Sequence, residues 1–323
     1  MTRTADVTSL LTRLLAGERR ALARALTLVE DGGPDELRAV VAGLHPEGGD
    51  ARLIGITGPP GVGKSTLTNA LVAELRSRGN TVAVVAVDPS SPFTGGALLG
   101  DRVRMQSHHA DDGVFIRSMA ARGHLGGIAF ATPHALAVLD AAGFDIVIVE
   151  TVGVGQSEVE VASAADSTVV VVAPGMGDSV QAAKAGILEV ADLYVINKSD
   201  HPGAGRTLSE LTGMLDVGHA TGHEGAWRPP IIRTVASEGT GVSELADALD
   251  AHREFLVSSG ALVERRRARA LHAIREIALA AVRGRFVGLE RGGNPLLETL
   301  AEKVSDHAID PYAAADELLA ALD

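Results

Sequence analysis

The sequence has no cysteine, only 3% aromatic residues and no long apolar run. Without cysteine, disulfide bonds, thiolate metal sites and a cysteine nucleophile are excluded. The longest apolar runs, such as Val169–Ala173, fall far short of the roughly 18 residues that cross a bilayer, and no apolar signal segment opens the chain. A net charge of −12 disfavours nucleic-acid binding, which needs a basic surface. We therefore expect a cytoplasmic protein with no nucleic-acid or membrane partner.

Lysine is also scarce. Of the 29 basic residues, only four are lysines and the remainder are arginines; the lysines are Lys64, Lys184, Lys198 and Lys303. Because arginine supplies the ordinary surface charge, each lysine is a candidate for a specific role.

The first thirty residues are arginine-rich and resemble a transit peptide, but Asp6, Glu18 and Glu30 favour a plain amphipathic helix.

The 323 residues, 46% of them hydrophobic, suffice for about two domains. We predict an N-terminal helical extension over residues 1–50, an α/β domain over 51–257 and a C-terminal helical arm over 258–323. In the middle segment, apolar β-branched runs alternate with helical stretches such as Ser65–Arg78 and Pro133–Ala141. Such runs indicate a doubly wound, mainly parallel α/β sheet covered on both faces. The predicted strands are Leu53–Thr57, Val82–Val87, Val114–Arg117, Ile146–Val149, Val169–Val172, Leu193–Ile196 and Ile231–Val235.

A phosphate-binding loop follows the first predicted strand. The segment 58–65 matches G-x-x-x-x-G-K-[ST] and opens a helix, which is the context that this motif requires. Gly61 and Gly63 let backbone N–H groups converge on phosphate oxygens, Lys64 reaches the β- and γ-phosphates, and the Ser65 hydroxyl can bind Mg²⁺. The residues expected to hold the nucleotide here are Gly58, Pro59, Pro60, Gly61, Val62, Gly63, Lys64, Ser65 and Thr66. The motif alone leaves ATP or GTP, and hydrolase or kinase, undecided.

Three acidic residues are candidates for the metal and γ-phosphate side of the site. Glu150 ends a buried strand, where an α/β sheet presents ligands, and is expected to hold Mg²⁺ through water. The backbone N–H of Gly153 is placed to bond the γ-phosphate. Asp88 and Asp101 are expected to complete the water shell of the metal or to orient the attacking water. A helix cap or a surface acid remains the alternative for both, and a solvated loop residue is favoured for Gln156.

A base-recognition pattern follows the predicted strand Leu193–Ile196. The segment 197–200 reads N-K-x-D, and the Asp200 carboxylate can accept hydrogen bonds from N1–H and the 2-amino group of guanine, neither of which adenine offers. Lys198 can cover the base plane and Asn197 can tie the loop together. Each charge-assisted bond is worth about 1.5–3 kcal/mol, so the pattern predicts GTP and GDP over ATP. The backbone of Ala236, Ser237 and Glu238 is a candidate third base contact, with a helix cap as the alternative.

Together these segments resemble the methylmalonyl-CoA mutase-associated GTPases, the MeaB/ArgK-like branch of the signal-recognition and MinD-type P-loop NTPases. The resemblance spans nearly the whole chain and rests on five segments: Gly58–Thr66, Val87–Ser91, Asp101–Met105, Glu150–Glu158 and Asn197–Asp200.

The resemblance implies a homodimer formed through the C-terminal arm. It also implies a function: gating the loading of adenosylcobalamin onto methylmalonyl-CoA mutase or a related acyl-CoA mutase, and protecting that enzyme. The segment from Pro174 to Lys184 resembles the third switch of the family, which adds Lys184 to the candidate catalytic residues Lys64, Asp88, Asp101 and Glu150. Two other functions stay open: a kinase or ATPase that energises lysine, arginine and ornithine uptake, and a nickel-insertion GTPase.

Three further features have simpler interpretations. His108 and His109 suggest a metal site, but a polar loop is favoured because neighbouring helix residues point to different sides. The arginines at 265–267 and 269 are expected to lie on a solvated or dimer-interface face rather than to contact RNA or a membrane. Trp227 is expected to anchor a loop.

Overall fold

A computed structural model describes residues 2–89, 108, 110–121, 127–151, 163–175, 190–219, 226–291 and 295–320. The helices are α1 (Thr2–Leu15), α2 (Arg19–Asp31), α3 (Pro34–Leu44), α4 (Lys64–Ser77), α5 (Gly127–Ala141), α6 (Ala204–His219), α7 (Val242–Ser258), α8 (Ala261–Arg291), α9 (Pro295–Ser305) and α10 (Pro311–Ala320), with a 3₁₀ turn at His45–Glu47. The strands are β1 (Arg52–Thr57), β2 (Val82–Pro89), β3 (Val114–Ala121), β4 (Ile146–Thr151), β5 (Ser167–Val172), β6 (Leu193–Ile196) and β7 (Ile231–Arg233).

The strands form one seven-stranded sheet in the order β3-β2-β4-β1-β5-β6-β7, with parallel pairing throughout. One face carries α4 and α7, and the other carries the N-terminal helices, α5 and α6. All side chains of β4 and β5 are buried, which explains why these strands read as continuous apolar runs. The predicted fold class, a doubly wound parallel sheet of P-loop NTPase type, is confirmed.

One predicted helix begins several residues too late. The helix predicted to begin at Pro133 begins at Gly127, and the proline lies inside it. A proline in a helix interior costs about 3 kcal/mol. Here the buried side chains of Ala135, Leu136 and Leu139 pack in the core beside the sheet, and this burial offsets the missing hydrogen bond.

Two compact units divide the chain, residues 1–270 and residues 271–323. In the first unit, α1 to α3 bury side chains such as Leu14, Leu26 and Val40 in the same cluster as Val85 and Val147 of the sheet. The N-terminal helices therefore share a core with the sheet. The predicted three-part division at residues 50 and 257 stays a prediction. No helix within the described ranges is long and apolar enough to cross a membrane.

The start of α8 is bound to the amino ends of β5 and β6. Arg266 and Arg269 lie 3.2 and 3.3 Å from the carboxylate of the fully buried Asp166, and Arg265 donates two hydrogen bonds to Asp192, at 2.6 and 2.8 Å. The prediction of a solvated or interface face is therefore wrong for these three arginines. They share one side of α8, and buried carboxylates require cationic partners.

The loop-anchor interpretation of Trp227 is confirmed. Its indole N–H donates to the backbone oxygen of Asp192 at 2.7 Å, and its ring lies against those of His252 and Phe255, with centroids 4.7 and 5.4 Å away. Burial lowers the pKa of His252 to about 4. The imidazole is therefore neutral at pH 7.

The polar segment before β3 has structural partners. His108 bonds the backbone oxygen of Asn69 at 3.2 Å, and Asp111 binds the Arg76 guanidinium through two 2.8 Å hydrogen bonds. The Arg76 contact lowers the pKa of Asp111 to about 2. Over the residues described, no group of three or more histidines and carboxylates is arranged to hold a metal ion, and His109 lies outside them.

Candidate nucleotide-binding site

The candidate residues that the structure describes meet at the carboxyl edge of the sheet. The phosphate-binding loop follows β1, Glu150 lies near the end of β4, and Asn197 follows β6. Strands β4 and β5 flank β1, and Glu150 pairs with Ile56. In open α/β sheets, ligands bind at this edge, outside the carboxyl ends of the strands.

Two glycines of the loop are required by close contacts. Gly58 has φ of 142°, and a Cβ there would lie 2.1 Å from the backbone oxygen of Val171. Gly63 has φ of 94°, and a Cβ there would lie 2.5 Å from Nδ2 of Asn197. Both positions exclude larger residues because of backbone conformation and space. The second contact shows how closely the base-recognition segment approaches the phosphate-binding loop.

Lys64 begins α4 and folds back over its own loop. Its Nζ donates to the backbone oxygens of Gly58 at 2.6 Å and Pro59 at 3.0 Å, and its side chain is buried. The ammonium group is thus held over the loop into which the motif places the phosphates. Within the loop Val62 is buried, whereas Pro60, Gly61 and Thr66 are exposed.

Ser65 and Glu150 form a buried pair of oxygen donors. The Ser65 hydroxyl donates to Oε1 of Glu150 at 2.5 Å, and both residues are buried. The last residues of β4 and β1 are also joined, because the Thr151 hydroxyl donates to that of Thr57 at 3.2 Å. A hydroxyl and a carboxylate in contact are donors of the kind that Mg²⁺ takes alongside substrate phosphates and water. The pair therefore fits a magnesium ion at the predicted place.

Asn197 joins three segments. Its Nδ2 donates to the backbone oxygen of Val62 at 2.9 Å, and its Oδ1 accepts from the Thr234 hydroxyl at 3.0 Å and the Ala236 N–H at 3.1 Å. The side chain is almost fully buried. This agrees with the prediction that Asn197 ties the loop together. Sequence analysis missed Thr234, whose role depends on a contact 37 positions away along the chain.

Lys198 and Asp200 lie in the same turn but have different surroundings. Lys198 has φ of 55°, which is rare for a residue with a side chain, and its Nζ donates to the backbone oxygen of Gly61 at 2.8 Å. Its stem therefore reaches across to the phosphate-binding loop. The Asp200 side chain is half exposed, with Nε2 of His201 at 3.8 Å from its carboxylate. Asp200 is accessible to an incoming base.

The third base contact, predicted for the backbone of Ala236, Ser237 and Glu238, has fewer available N–H groups than the sequence suggested. The Ala236 N–H donates to Asn197, and the Glu238 N–H donates to the backbone oxygen of Val235 at 2.9 Å. These bonds use two of the three backbone donors within the chain itself. The Ser237 N–H is the donor that this turn can offer to guanine O6.

Four candidate residues lie wholly or partly outside the described structure. Asp88 lies in β2, and its backbone pairs with Ala120 of β3. It is two residues beyond Ala86, the residue of β2 that pairs with Glu150 of β4. Its carboxylate lies outside the described part of the structure, as do Asp101, Gly153 and Lys184. The roles of these residues stay predictions.

Comparison with known proteins agrees with this geometry. The family model for the methylmalonyl-CoA mutase-associated GTPase MeaB matches residues 22–290. A protein of Pyrococcus abyssi that is named as a GTPase is 49% identical over 313 residues, covering 97% of this chain and 96% of its own length. GTPase ArgK of Escherichia coli is 39% identical over 270 residues, covering 82% and 81%.

Two further similarities extend the comparison. A mouse protein, the mitochondrial methylmalonic aciduria type A homolog, is 37% identical over 276 residues, covering 80% of this chain and 66% of its own length. The crystal structure of an LAO/AO transport system kinase superposes with a TM-score of 0.70 at 29% identity, covering 97% of this chain and 96% of that one. All matched stretches are long enough to contain both the phosphate-binding loop and the base-recognition segment.

Proposed function

Because this chain belongs to the methylmalonyl-CoA mutase-associated GTPases and is a GTP hydrolase, we propose that it serves an adenosylcobalamin-dependent acyl-CoA mutase. In this role it gates the loading of adenosylcobalamin onto methylmalonyl-CoA mutase, or a related mutase, and protects that enzyme. The family match over residues 22–290 carries the proposal. The name of the mouse relative, which refers to methylmalonic aciduria, supports it.

The nucleotide site performs the first part of this function. Backbone N–H groups of the loop and the Lys64 ammonium hold the phosphates, and Asp200 selects guanine over adenine. Asn197 and Lys198 fix the distance between the base-recognition segment and the phosphate-binding loop through their bonds to Val62 and Gly61. GTP is thereby held at both ends.

The metal side performs the second part. Ser65 and Glu150 would hold Mg²⁺, and Asp88 and Asp101 would complete its surroundings. When bound, the ion would neutralise negative charge on the phosphates. Gly153 contacts the γ-phosphate and releases it after hydrolysis, and the segment ending at Lys184 relays partner binding. Turnover is expected to be slow without the mutase, because none of the arginines that the structure describes is clearly placed to stabilise the transition state.

The partner is tested with purified proteins. We expect the full chain to co-purify with an adenosylcobalamin-dependent mutase and its GTP turnover to rise at least about tenfold on mutase addition, since partner-supplied groups accelerate GTPases by about 10³-fold or more. The Lys64→Met variant is the control, because phosphate release near the wild-type rate in that variant would come from a contaminating hydrolase. Absence of both association and rate change removes the partner assignment and leaves the GTPase intact.

The transport-kinase alternative is favoured by one observation, the similarity to the LAO/AO transport system kinase. The two functions differ in where the γ-phosphate goes. In assays with radiolabelled GTP, the GTPase function releases the label as inorganic phosphate. Label bound covalently to a protein would support the kinase.

A homodimer is part of the proposal, and the apolar surface of α8 supports it. Leu271, Ile274 and Val282 are 62%, 65% and 44% exposed, and their spacing places them on one side of the helix. An exposed apolar stripe is typical of an interaction surface. A second copy of the chain would bury it.

The dimer is tested by adding charge to this stripe. The double variant Leu271→Glu, Ile274→Glu should sediment at half the mass of the wild-type protein in analytical ultracentrifugation, because burying two carboxylates opposes association. Glu276→Lys, which alters charge on another side of α8, should keep the wild-type mass. A double variant that stays dimeric contradicts this interface.

A further inference from the structure

The ion pair between Arg265 of α8 and Asp192 lies at the opposite edge of the sheet from the nucleotide site. Asp192 directly precedes β6 and is 5% exposed. Besides the two bonds from Arg265, its carboxylate accepts the Thr168 N–H at 2.9 Å and lies 3.4 Å from Nε2 of His252. With the Trp227 bond to its backbone oxygen, Asp192 is held by four different segments. The start of β6 is therefore fixed in position.

Stability alone does not explain this pair. The Asp192 side chain is 7% exposed and that of Arg265 is 39% exposed, so the desolvation of the carboxylate offsets part of the attraction between the two charges. His252 has its pKa lowered by burial and stays neutral, whereas the hydrogen bond to Asp192 raises the pKa of Arg265. Arg265 thus supplies the cation that balances Asp192. What a bidentate pair supplies beyond charge is a fixed geometry.

Strand β6 connects this fixed point directly to the base-recognition segment. It is only four residues long, all four are buried, and they pair in register with β5 on one side. A strand extends by about 3.3 Å per residue, so Asn197 lies roughly 16 Å from Asp192 with no loop between them. The phosphate-binding loop instead follows β1, whose Arg52 is bound to Asp250.

We propose that Arg265 is a positioning residue for guanine recognition: by holding Asp192, it sets where Asn197–Asp200 lies relative to the phosphate-binding loop. This inference rests on the proposed reading of guanine by Asp200. It assigns to the first turns of α8 a role in nucleotide affinity, in addition to the apolar stripe further along that helix.

Removing the pair should weaken binding of the base and spare the chemistry at the phosphates. In the full-length Arg265→Met variant we expect KM for GTP to rise about 3- to 30-fold, as when coupling through a contiguous network is lost, with kcat unchanged. The inhibition constant of inorganic tripolyphosphate, which contacts only the phosphate half, should stay the same. Arg265→Lys keeps the positive charge but cannot form the two parallel hydrogen bonds of the guanidinium. Its KM for GTP should therefore lie between those of the wild type and Arg265→Met. Trp227 is the single tryptophan and is bonded to Asp192, so its fluorescence reports whether the surroundings of Asp192 have changed.

Arg117→Met is the matched control. Arg117 pairs with Glu30 at 2.8 Å in an ion pair that joins β3 to α2, away from β6, and its side chain is 20% exposed. The Arg117→Met variant should have a lower melting temperature than the wild type and the same KM for GTP. If Arg265→Met fails to fold, Arg265→Lys carries the test. The inference is overturned if the folded Arg265 variants keep the wild-type KM, or if GTP and tripolyphosphate weaken together.

The two proposals can fail separately. If Asp200→Asn leaves GTP binding unchanged, the reading of guanine itself is wrong. If Asp200→Asn acts as expected but the Arg265 variants do not, only the positioning role is lost.

Discussion

Replacing Lys64 by Met should lower kcat/KM for GTP hydrolysis by about 10²–10³-fold or more. Loss of one preorganised donor to a developing charge costs about that factor, and Lys64 is also expected to hold the phosphates in the ground state. Its ammonium group lies within 3.0 Å of two loop oxygens in a buried position. Methionine preserves the length and apolar character of the stem while removing the charge. Single-turnover assays with radiolabelled GTP measure the loss.

Lys303→Met is the matched control for this change. Lys303 lies in α9, its side chain is 45% exposed, and it pairs with Glu317 at 3.6 Å. An exposed pair of this kind is worth at most about 1 kcal/mol, so hydrolysis should not change. Lys64→Arg should not restore activity, because a planar guanidinium does not replace a compact ammonium at this loop. If Lys64→Met keeps hydrolysis within about threefold of wild type, Lys64 is not the phosphate-binding lysine.

The parts of the site that could be predicted are those encoded in short contiguous motifs. The loop around Gly63 and the segment from Asn197 to Asp200 have backbone and side-chain roles fixed by neighbours in sequence, and the strands preceding them were evident from apolar runs. Strand ends were placed less well. The strand predicted for Val114–Arg117 extends to Ala121, since hydrogen bonding to β2 continues where the apolar pattern fades.

What could not be predicted depends on contacts between distant positions. Asn197 bonds Val62 across 135 positions, and Arg265 bonds Asp192 across 73. Arginines on a helix in an acidic chain give no sign of the carboxylates they will meet, because Asp192 looks like any polar residue before a strand. The start of α5 was misplaced for a different reason: proline favours the first turn of a helix, whereas Pro133 lies in the interior of this one.

Replacing Asp200 by Asn should reverse base preference instead of abolishing binding. The carboxylate is expected to accept two hydrogen bonds from guanine, each worth about 1.5–3 kcal/mol when charge-assisted, so GTP affinity should fall at least about 10²-fold. The amide of asparagine can donate to an oxygen and accept from N1–H. Xanthine carries oxygen where guanine carries the 2-amino group, so xanthosine triphosphate should bind more tightly to the variant than to wild type.

Isothermal titration calorimetry with both nucleotides measures this exchange, and its two halves control each other. A variant that is merely unfolded loses affinity for both nucleotides, whereas a change confined to base recognition weakens one and strengthens the other. Asp216→Asn provides the second control, because Asp216 is an exposed acid of α6 paired with Arg228 at 2.6 Å and should leave both affinities unchanged. Unchanged GTP affinity in Asp200→Asn would show that guanine is read elsewhere, and the bond network centred on Asn197 would then be only structural.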